Sequence, residues 1–438
     1  MLAHLRMWIG CSFLLVVVSA ASLAVTARAE EPQAWAKAHL EELVELYRHF
    51  HAHPELSFQE KETAARLAKE LRAAGAEVTE NVGGTGVVGI LKNGAGRAVM
   101  LRTDLDALPV TEQTGLVYAS QVKVKGEAGE TGVMHACGHD IHITNLIAVA
   151  RWFAANKDAW KGTLIFLGQP AEERGSGARA MLEDGLFEKF PKPDYAVALH
   201  CDSSLATGKV GVRGGYALAN VDSVDITLLG KGGHGAYPHT TIDPIVMAAQ
   251  LVLSLQTIVS REIKPIEPCV ITVGSIHGGT KHNIIGADCH LQITVRSYSD
   301  EVRQQLHDAI VRKAKGVAVG AGAPEPKIVF SEGTPAMFND EKLAGRLREV
   351  FVRELGTANI DDPEPSMGGE DFSEYGRAGV PILMFRLGTI EPARLARMKQ
   401  LGQEMPSLHS PLYYPDAEPT LVTGLQTTVA AARELLKK

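Results

Sequence analysis

The chain carries no surplus of positive charge: 44 Lys and Arg stand against 51 Asp and Glu, a formal balance of −7. No basic patch therefore marks it for nucleic acid or an anionic lipid surface, and small molecules or peptides are the expected partners. Internal repeats and low-complexity tracts are absent beyond the first thirty or so residues, which excludes a solenoid. Cysteine is scarce, at five residues. An exported protein normally avoids free thiols, so Cys137, Cys201, Cys269 and Cys289 each need an account. Metal ligation would explain Cys137. Cys269 and Cys289 flank a hairpin with its turn near Gly278-Gly279, where they would either form a disulfide or remain buried free thiols. Cys201 has no clear role.

What is present is ordinary for a soluble enzyme: 45% hydrophobic and 22% charged residues, with 43 glycines suited to the tight βα turns of an α/β protein. At 438 residues the chain is too long for one small domain, and two are expected. Residues 1–29 read as a secretory leader. Arg6 precedes an apolar stretch from Met7 to Val25, and Ala27-Arg-Ala29 is an A-x-A cleavage signal before Glu30-Glu31. Cleavage after Ala29 would leave 42 basic against 51 acidic residues, or −9. It would place the mature protein in the periplasm or outside the cell, with no membrane association. An uncleaved anchor is the other reading of that stretch.

Amphipathic helices are expected over 33–50 and 59–74, broken at His51-Ala-His-Pro-Glu-Leu-Ser57. Apolar runs then alternate with helical stretches: Val87–Leu91, Ala98–Thr103, helix Ile141–Ala155, Thr163–Leu167, helix Gly177–Leu182, Tyr195–Leu199. This rhythm predicts a doubly wound, mostly parallel α/β sheet for a catalytic domain. After Gly208 the pattern changes to β-α-β-β-α-β: strand 221–229, helix Pro244–Val259 capped by Asp243, strands Cys269–Ile276 and Asp288–Ser297, helix Val302–Val317, strand Lys327–Phe330. That order predicts an inserted α+β, ferredoxin-like unit. Helix 341–355, strand Pro381–Arg386 and helix 418–436 return to the first domain. The expected division is catalytic domain over 30–213 and 333–438, interrupted by an inserted domain over 214–332.

Ligands of doubly wound sheets sit beyond the carboxyl ends of the strands. Asp104 and Asp106 follow one such strand, Glu172 and Glu173 another, and His200 is expected to end a third. Cys137 and His139 lie two apart before a helix, so both can reach one metal centre. A thiolate with imidazoles favours zinc or a neighbouring transition metal over magnesium or calcium. With His409 the set Cys137, His139, Glu173, His200 and His409 would hold two divalent ions with open positions. Of the adjacent glutamates, Glu173 would bind metal. Glu172 would face a water whose pKa the metal lowers and carry its proton to the leaving amine. Asp104 and Asp106 would be ligands or would orient the histidines, with Asp106 preferred for orientation. A rival reading makes Cys137 a nucleophile with His139 as its base, but neighbours two apart are poorly arranged for that pair.

Ordered blocks along residues 40–430 carry a resemblance. They are Leu56-Ser-Phe-Gln-Glu60, Leu101-Arg-Thr-Asp-Leu-Asp-Ala-Leu-Pro109, Met134-His-Ala-Cys-Gly-His-Asp140, Gly168-Gln-Pro-Ala-Glu-Glu173, Gly233-His-Gly-Ala-Tyr-Pro-His239, Gly278-Gly-Thr280 with Asn283, Gly368-Gly-Glu-Asp-Phe-Ser373 and Leu408-His-Ser-Pro411. The chain resembles the aminoacylase, hippurate hydrolase and auxin-conjugate (IAA–amino acid) hydrolase family of dinuclear metallopeptidases. The resemblance implies two metals (zinc or manganese, with nickel or cobalt as alternatives) on the five residues above, with Glu172 as general base. It implies that the inserted domain is a lid and often a homodimer surface. It also implies that His234 stabilises an oxyanion, sometimes across the dimer, and that Asn283 holds a substrate carboxylate or carbonyl. The chain departs from the family at Cys201-Asp202, at Lys281-His282 and over 386–405, which puts substrate identity in doubt. The expected function is hydrolysis of the amide of N-acyl or N-aroyl amino acids. A dipeptidase or carboxypeptidase of the same chemistry and a non-catalytic periplasmic binding protein are the alternatives.

Overall fold

The structure is a computed structural model of the chain. It describes residues 30–126 and 129–437, so the leader expected over 1–29 lies outside the described residues. The helix expected over 33–50 is two helices, α1 (Pro32–Ala38) and α2 (Leu40–Ala52). His39 separates them: its backbone N–H and its ring Nδ1 both bond the Trp35 carbonyl, and the rings stack at 4.1 Å.

The chain continues through α3 (Lys61–Ala73), β1 (Glu77–Val82), β2 (Gly86–Asn93), β3 (Ala98–Asp104), α4 (His139–Ala155), β4 (Gly162–Gln169), α5 (Gly177–Glu183), β5 (Tyr195–Ala206) and β6 (Val210–Gly211). The smaller unit holds β7 (Asn220–Leu229), α6 (Pro244–Arg261), β8 (Cys269–Gly278), β9 (Asp288–Ser297), α7 (Asp300–Gly320) and β10 (Lys327–Thr334). Then come α8 (Glu341–Leu355), β11 (Ile360–Asp361), β12 (Ile382–Ile390) and α9 (Ala417–Leu436). Strand β1 has no counterpart in the sequence reading. Its Glu77, Thr79 and Asn81 are exposed, so it carries no apolar run to announce it.

The larger sheet has the order β1-β2-β4-β3-β5-β12-β6-β11. Its centre, β4-β3-β5-β12, is parallel, and antiparallel pairs lie outside it. Alternate residues of the central strands feed separate cores. Leu164 and Phe166 join Val99, Leu101, Val197 and Phe385 under α2, α3, α4 and α9, while Ile165, Leu167, Met100 and Met384 face the other side. Burial on both faces is why these strands read as unbroken apolar runs. The smaller sheet, β8-β9-β7-β10, is wholly antiparallel and is covered by α6 and α7 over its own core of Val224, Ile226, Leu251 and Leu306. This is the ferredoxin-like arrangement, and Asp243 caps α6 as expected by accepting from Ile245 and Val246.

The conceivable Cys269–Cys289 disulfide does not form. In the β8–β9 ladder Cys269 lies opposite Ser297 and Cys289 opposite Gly278, so the thiols occupy opposite ends, and both are free.

Candidate metal centre and active site

Two backbone devices place the glutamates. Ala171 sits at φ 48°, a left-handed conformation that costs energy for a residue with a Cβ, and its N–H donates to the buried Glu60 carboxylate at 2.8 Å. Gly177 packs so tightly under the turn that a Cβ there would lie 1.5 Å from the Pro170 carbonyl oxygen. The turn after β4 is thereby held, with Glu172 and Glu173 just beyond the end of the strand.

His139 opens α4 immediately after Gly138, which has φ 82°. Its Nδ1 donates to the Asp106 carbonyl at 2.8 Å, which fixes the tautomer and turns Nε2 toward the carboxylates. Nε2 lies 3.5 Å from Asp104 Oδ2 and 3.8 Å from both Glu172 Oε2 and Glu173 Oε1. Both His139 Nε2 and Glu173 Oε1 are buried without a hydrogen-bond partner. His200 repeats the device: Nδ1 donates to the Cys201 carbonyl at 2.8 Å, and Nε2 faces Cys137 Sγ at 3.6 Å. His409 has φ 69°, donates its N–H to the Ala136 carbonyl and points Nε2 at Glu173 Oε1, 3.5 Å away.

The sets Cys137–His139–His200, Cys137–Glu173–His409 and His139–Glu172–Glu173 each bring their donor atoms within 4.8 Å of one another. These sets overlap, as the donors of a cation pair would, and the orphaned Nε2 and Oε1 fit a metal rather than a hydrogen bond. The charges agree. Burial opposes the His139 imidazolium, yet Asp104, Asp106 and Glu173 raise it to about 10. Burial, with Asp106 and Asp104, pushes Glu173 up to about 7. Burial, with Glu370, Glu173 and Asp371, pushes Glu172 well above the usual carboxylate range. So much confined negative charge suits a divalent cation.

The two aspartates differ. Asp104 uses one oxygen on Arg102 Nη1 at 2.8 Å and the other on His142 Nδ1 at 2.7 Å. Asp106 accepts from Ser57 and from the Glu173 backbone N–H, so it holds the glutamate turn as well as His139. His200 corrects an expectation: its strand continues to Ala206. The side chain still reaches the site: β3 pairs with β5 only as far as Arg102 opposite Ala198, and beyond it the Cys201 N–H bonds a side chain in place of a strand. Cys201 packs on Gly138, where a Cβ would come within 2.9 Å of its sulfur.

Four supporting residues escaped the sequence reading. His142 donates to Asp104, and its Nε2 accepts the Cys201 N–H at 2.9 Å, so both nitrogens are used and it holds the strand that carries His200. Its i+3 spacing from His139 on one helix was the available signal. Arg102 is fully buried and contacts Asp104, Glu370 and Asp371 together. Glu370 and Asp371, within 4.8 Å of Glu172, belong to a motif noted in the sequence without a role.

A cavity of about 350 Å³ opens beside these groups, lined by Glu172, Glu173, Arg296, Gly369, Glu370 and His409 among others. It lies between the two sheets. His234 and Asn283 are not among its lining residues. They are exposed and adjoin each other beside a short two-stranded ladder of the ferredoxin-like unit, with the Gly235 N–H on the Asn283 carbonyl at 2.9 Å and His234 Nδ1 accepting from Ala236. Within one chain, then, the expected oxyanion donor is not brought to the cavity.

A doubly wound sheet with carboxylates at its strand ends and imidazoles and a thiol gathered beside them, joined to a ferredoxin-like unit, fits a metal-dependent hydrolase. The chain belongs to Peptidase family M20/M25/M40, whose profile it matches over residues 100–399. It is similar to the N-acetyl-L-cysteine deacetylase of Bacillus subtilis, 38% identical over 76% of this chain and 77% of that protein. It is also similar to thermostable carboxypeptidase 1 of Saccharolobus solfataricus, 36% identical over 79% and 86%. Among solved structures it resembles the YXEP protein of Bacillus subtilis, a dinuclear metal-binding peptidase from the M20 family, with TM-score 0.74, 31% identity, and 91% and 99% of the two chains covered. The protein is thus an amidohydrolase of this family, acting on carbon–nitrogen bonds.

Proposed function

We propose that the protein hydrolyses the amide of N-acyl or N-aroyl amino acids, or of related amino-acid conjugates. The observation that carries this reading is the placing of Glu172 beside the orphaned donors His139 Nε2 and Glu173 Oε1, in a cavity whose wall also presents Arg296. Arg296 hydrogen-bonds Thr294 Oγ1 and the Met367 carbonyl rather than a carboxylate. Its guanidinium suits the free carboxylate of an amino acid. Cys137, His139, Glu173, His200 and His409 would hold two divalent transition ions, zinc or manganese foremost. When bound, such ions supply carbonyl polarisation and an activated water. Glu172 takes the water's proton and delivers it to the leaving nitrogen. The deacetylase among the relatives supports the N-acyl reading. The carboxypeptidase supports a second one, peptide cleavage by the same residues.

His234 completes this site from a second copy of the chain. Exposed Ile245, Val246, Leu253 and Ile276 on the ferredoxin-like unit support its pairing with another copy. The leader-like first 29 residues support a periplasmic or secreted location.

The test is metal analysis of purified protein, followed by a panel of N-acetyl and N-benzoyl amino acids and dipeptides with added zinc or manganese. Two bound ions and turnover of N-acyl amino acids are expected. Glu172→Gln should keep both ions and lose at least about a thousandfold in kcat. Near-native turnover in that variant would sink the mechanism.

A further inference from the structure

The two carboxylate oxygens of Glu370 have unequal surroundings. Oε1 accepts from Arg102 Nη2 at 2.8 Å and from the Phe372 N–H at 2.9 Å. Oε2 has no hydrogen-bond partner among the described residues, although the residue is only 2% exposed. An unpaired buried carboxylate oxygen is costly, and a ligand that brings a donor removes that cost. Glu370 lines the cavity, and one of its oxygens lies within 4.8 Å of a Glu172 oxygen. The neighbouring Gly369 abuts Arg296: a Cβ there would lie 3.8 Å from Arg296 Nη1. The cavity wall thus carries an anionic acceptor next to the base, and a guanidinium as well. An amino acid carries its nitrogen and its carboxylate on a single carbon.

We infer that Glu370 Oε2 accepts the hydrogen of the scissile amide N–H and then holds the amine that leaves, while Arg296 takes the carboxylate. The inference rests on the amidohydrolase reading of this cavity. In the reaction the C–N bond breaks and the water oxygen bonds the acyl carbon. The water's proton passes through Glu172 to the nitrogen. The nitrogen's own hydrogen stays in place throughout, directed at Glu370. Glu370 is on this account a catalytic residue that selects substrates with an N–H at the cleaved bond over esters of the same shape.

Glu370→Gln tests this with little change of volume. Arg102 and Phe372 both donate to Oε1, so the amide oxygen of Gln must take that place. The free position then becomes an NH₂ donor, mismatched to the substrate N–H. Wild type and variant are compared on an N-acyl amino acid from the panel that wild type hydrolyses, and on the ester of the matching 2-hydroxy acid. The variant should lose at least about tenfold more in kcat/KM on the amide than on the ester, since any effect passed through Glu172 falls on both. Equal losses on both would mean that Glu370 acts only through Glu172 or the fold, and would overturn the inference, as would undiminished amide hydrolysis.

Should the variant not fold, wild type is inhibited with the product amino acid and with the carboxylic acid lacking its amino group. The amino acid should bind at least about tenfold tighter, and equal inhibition overturns the inference. A wild-type protein that holds two ions and hydrolyses no amide in the panel fails the functional reading itself, and this inference with it.

Discussion

The inner and outer halves of the site are built differently. Inside, Cys137, His139, Glu172 and His200 are nearly or fully buried, and the histidines are aimed by backbone carbonyls. Arg102, Asp104, His142 and Asp106 brace them from behind. Outside, the His409 side chain is 55% exposed, and His234 and Asn283 stand in solvent on another unit. The contrast separates two tasks. Cation binding and proton transfer, the roles proposed for the inner residues, need fixed distances, and these residues are over-determined by packing and hydrogen bonds. Substrate entry needs an opening, and of the three outer residues His409 lines the cavity between the units.

The strongest way to break the inner half is at Arg102. This one buried cation faces Asp104, Glu370 and Asp371, and burial together with Glu370 already pushes Asp371 up to about 8 in spite of it. Removing one partner of a buried ionic cluster leaves the others uncompensated. Arg102→Met should therefore cost about 3–5 kcal/mol of unfolding free energy, measured by denaturant titration. A cost below about 1 kcal/mol would show that the cluster relaxes freely, and the claimed rigidity would fail.

The same contrast explains what the sequence revealed. The inner cluster of candidate ligands was legible because cysteine, histidine and paired glutamates are rare at the ends of apolar runs, and a doubly wound sheet brings those ends together. The braces were not. Arg102 meets Glu370 across 268 residues, and an arginine in a strand reads locally as a solvated cation. His200 was misplaced at a strand end because β5 runs on past it by pairing with β12 as far as Ala206, which no local pattern encodes. The fate of Cys269 and Cys289 turned on register: a turn near Gly278-Gly279 would have set them nearly opposite, but the observed register pairs Gly278 with Cys289 and puts the connection beyond Gly278. Glu370 was visible only as part of a motif, since its meaning lies in one oxygen that lacks a partner.

The outer half is probed at His234. If it serves the cavity of a second copy, His234→Ala should lower kcat about a hundredfold and leave bound metal and thermal stability unchanged. Mixing that variant with Glu172→Gln should restore part of the activity, because a mixed dimer contains one site with both residues intact. Full activity in His234→Ala would remove this residue from the mechanism. Loss without recovery on mixing would confine its role to its own chain.

The smallest effect is expected behind the inner half, where His51 donates to Asp140 at 2.7 Å and to Glu112 at 3.1 Å, tying the loop that contains Glu112 to the first turn of α4. Burial works against the imidazolium, but the two carboxylates carry it up to about 9. Its folded value lies above the unfolded value of about 6.5, so the stabilisation is complete below about pH 6.5 and is lost as pH rises through about 9. Wild type should exceed His51→Gln by about 2 kcal/mol near pH 6, and the gap should close above about pH 9. Tyr47 and Tyr118, which also face His51, titrate only above that window, burial having raised both. A gap that stays constant across the range would mean that His51 contributes by packing alone, and that the inner half is braced without a buried charge at its back.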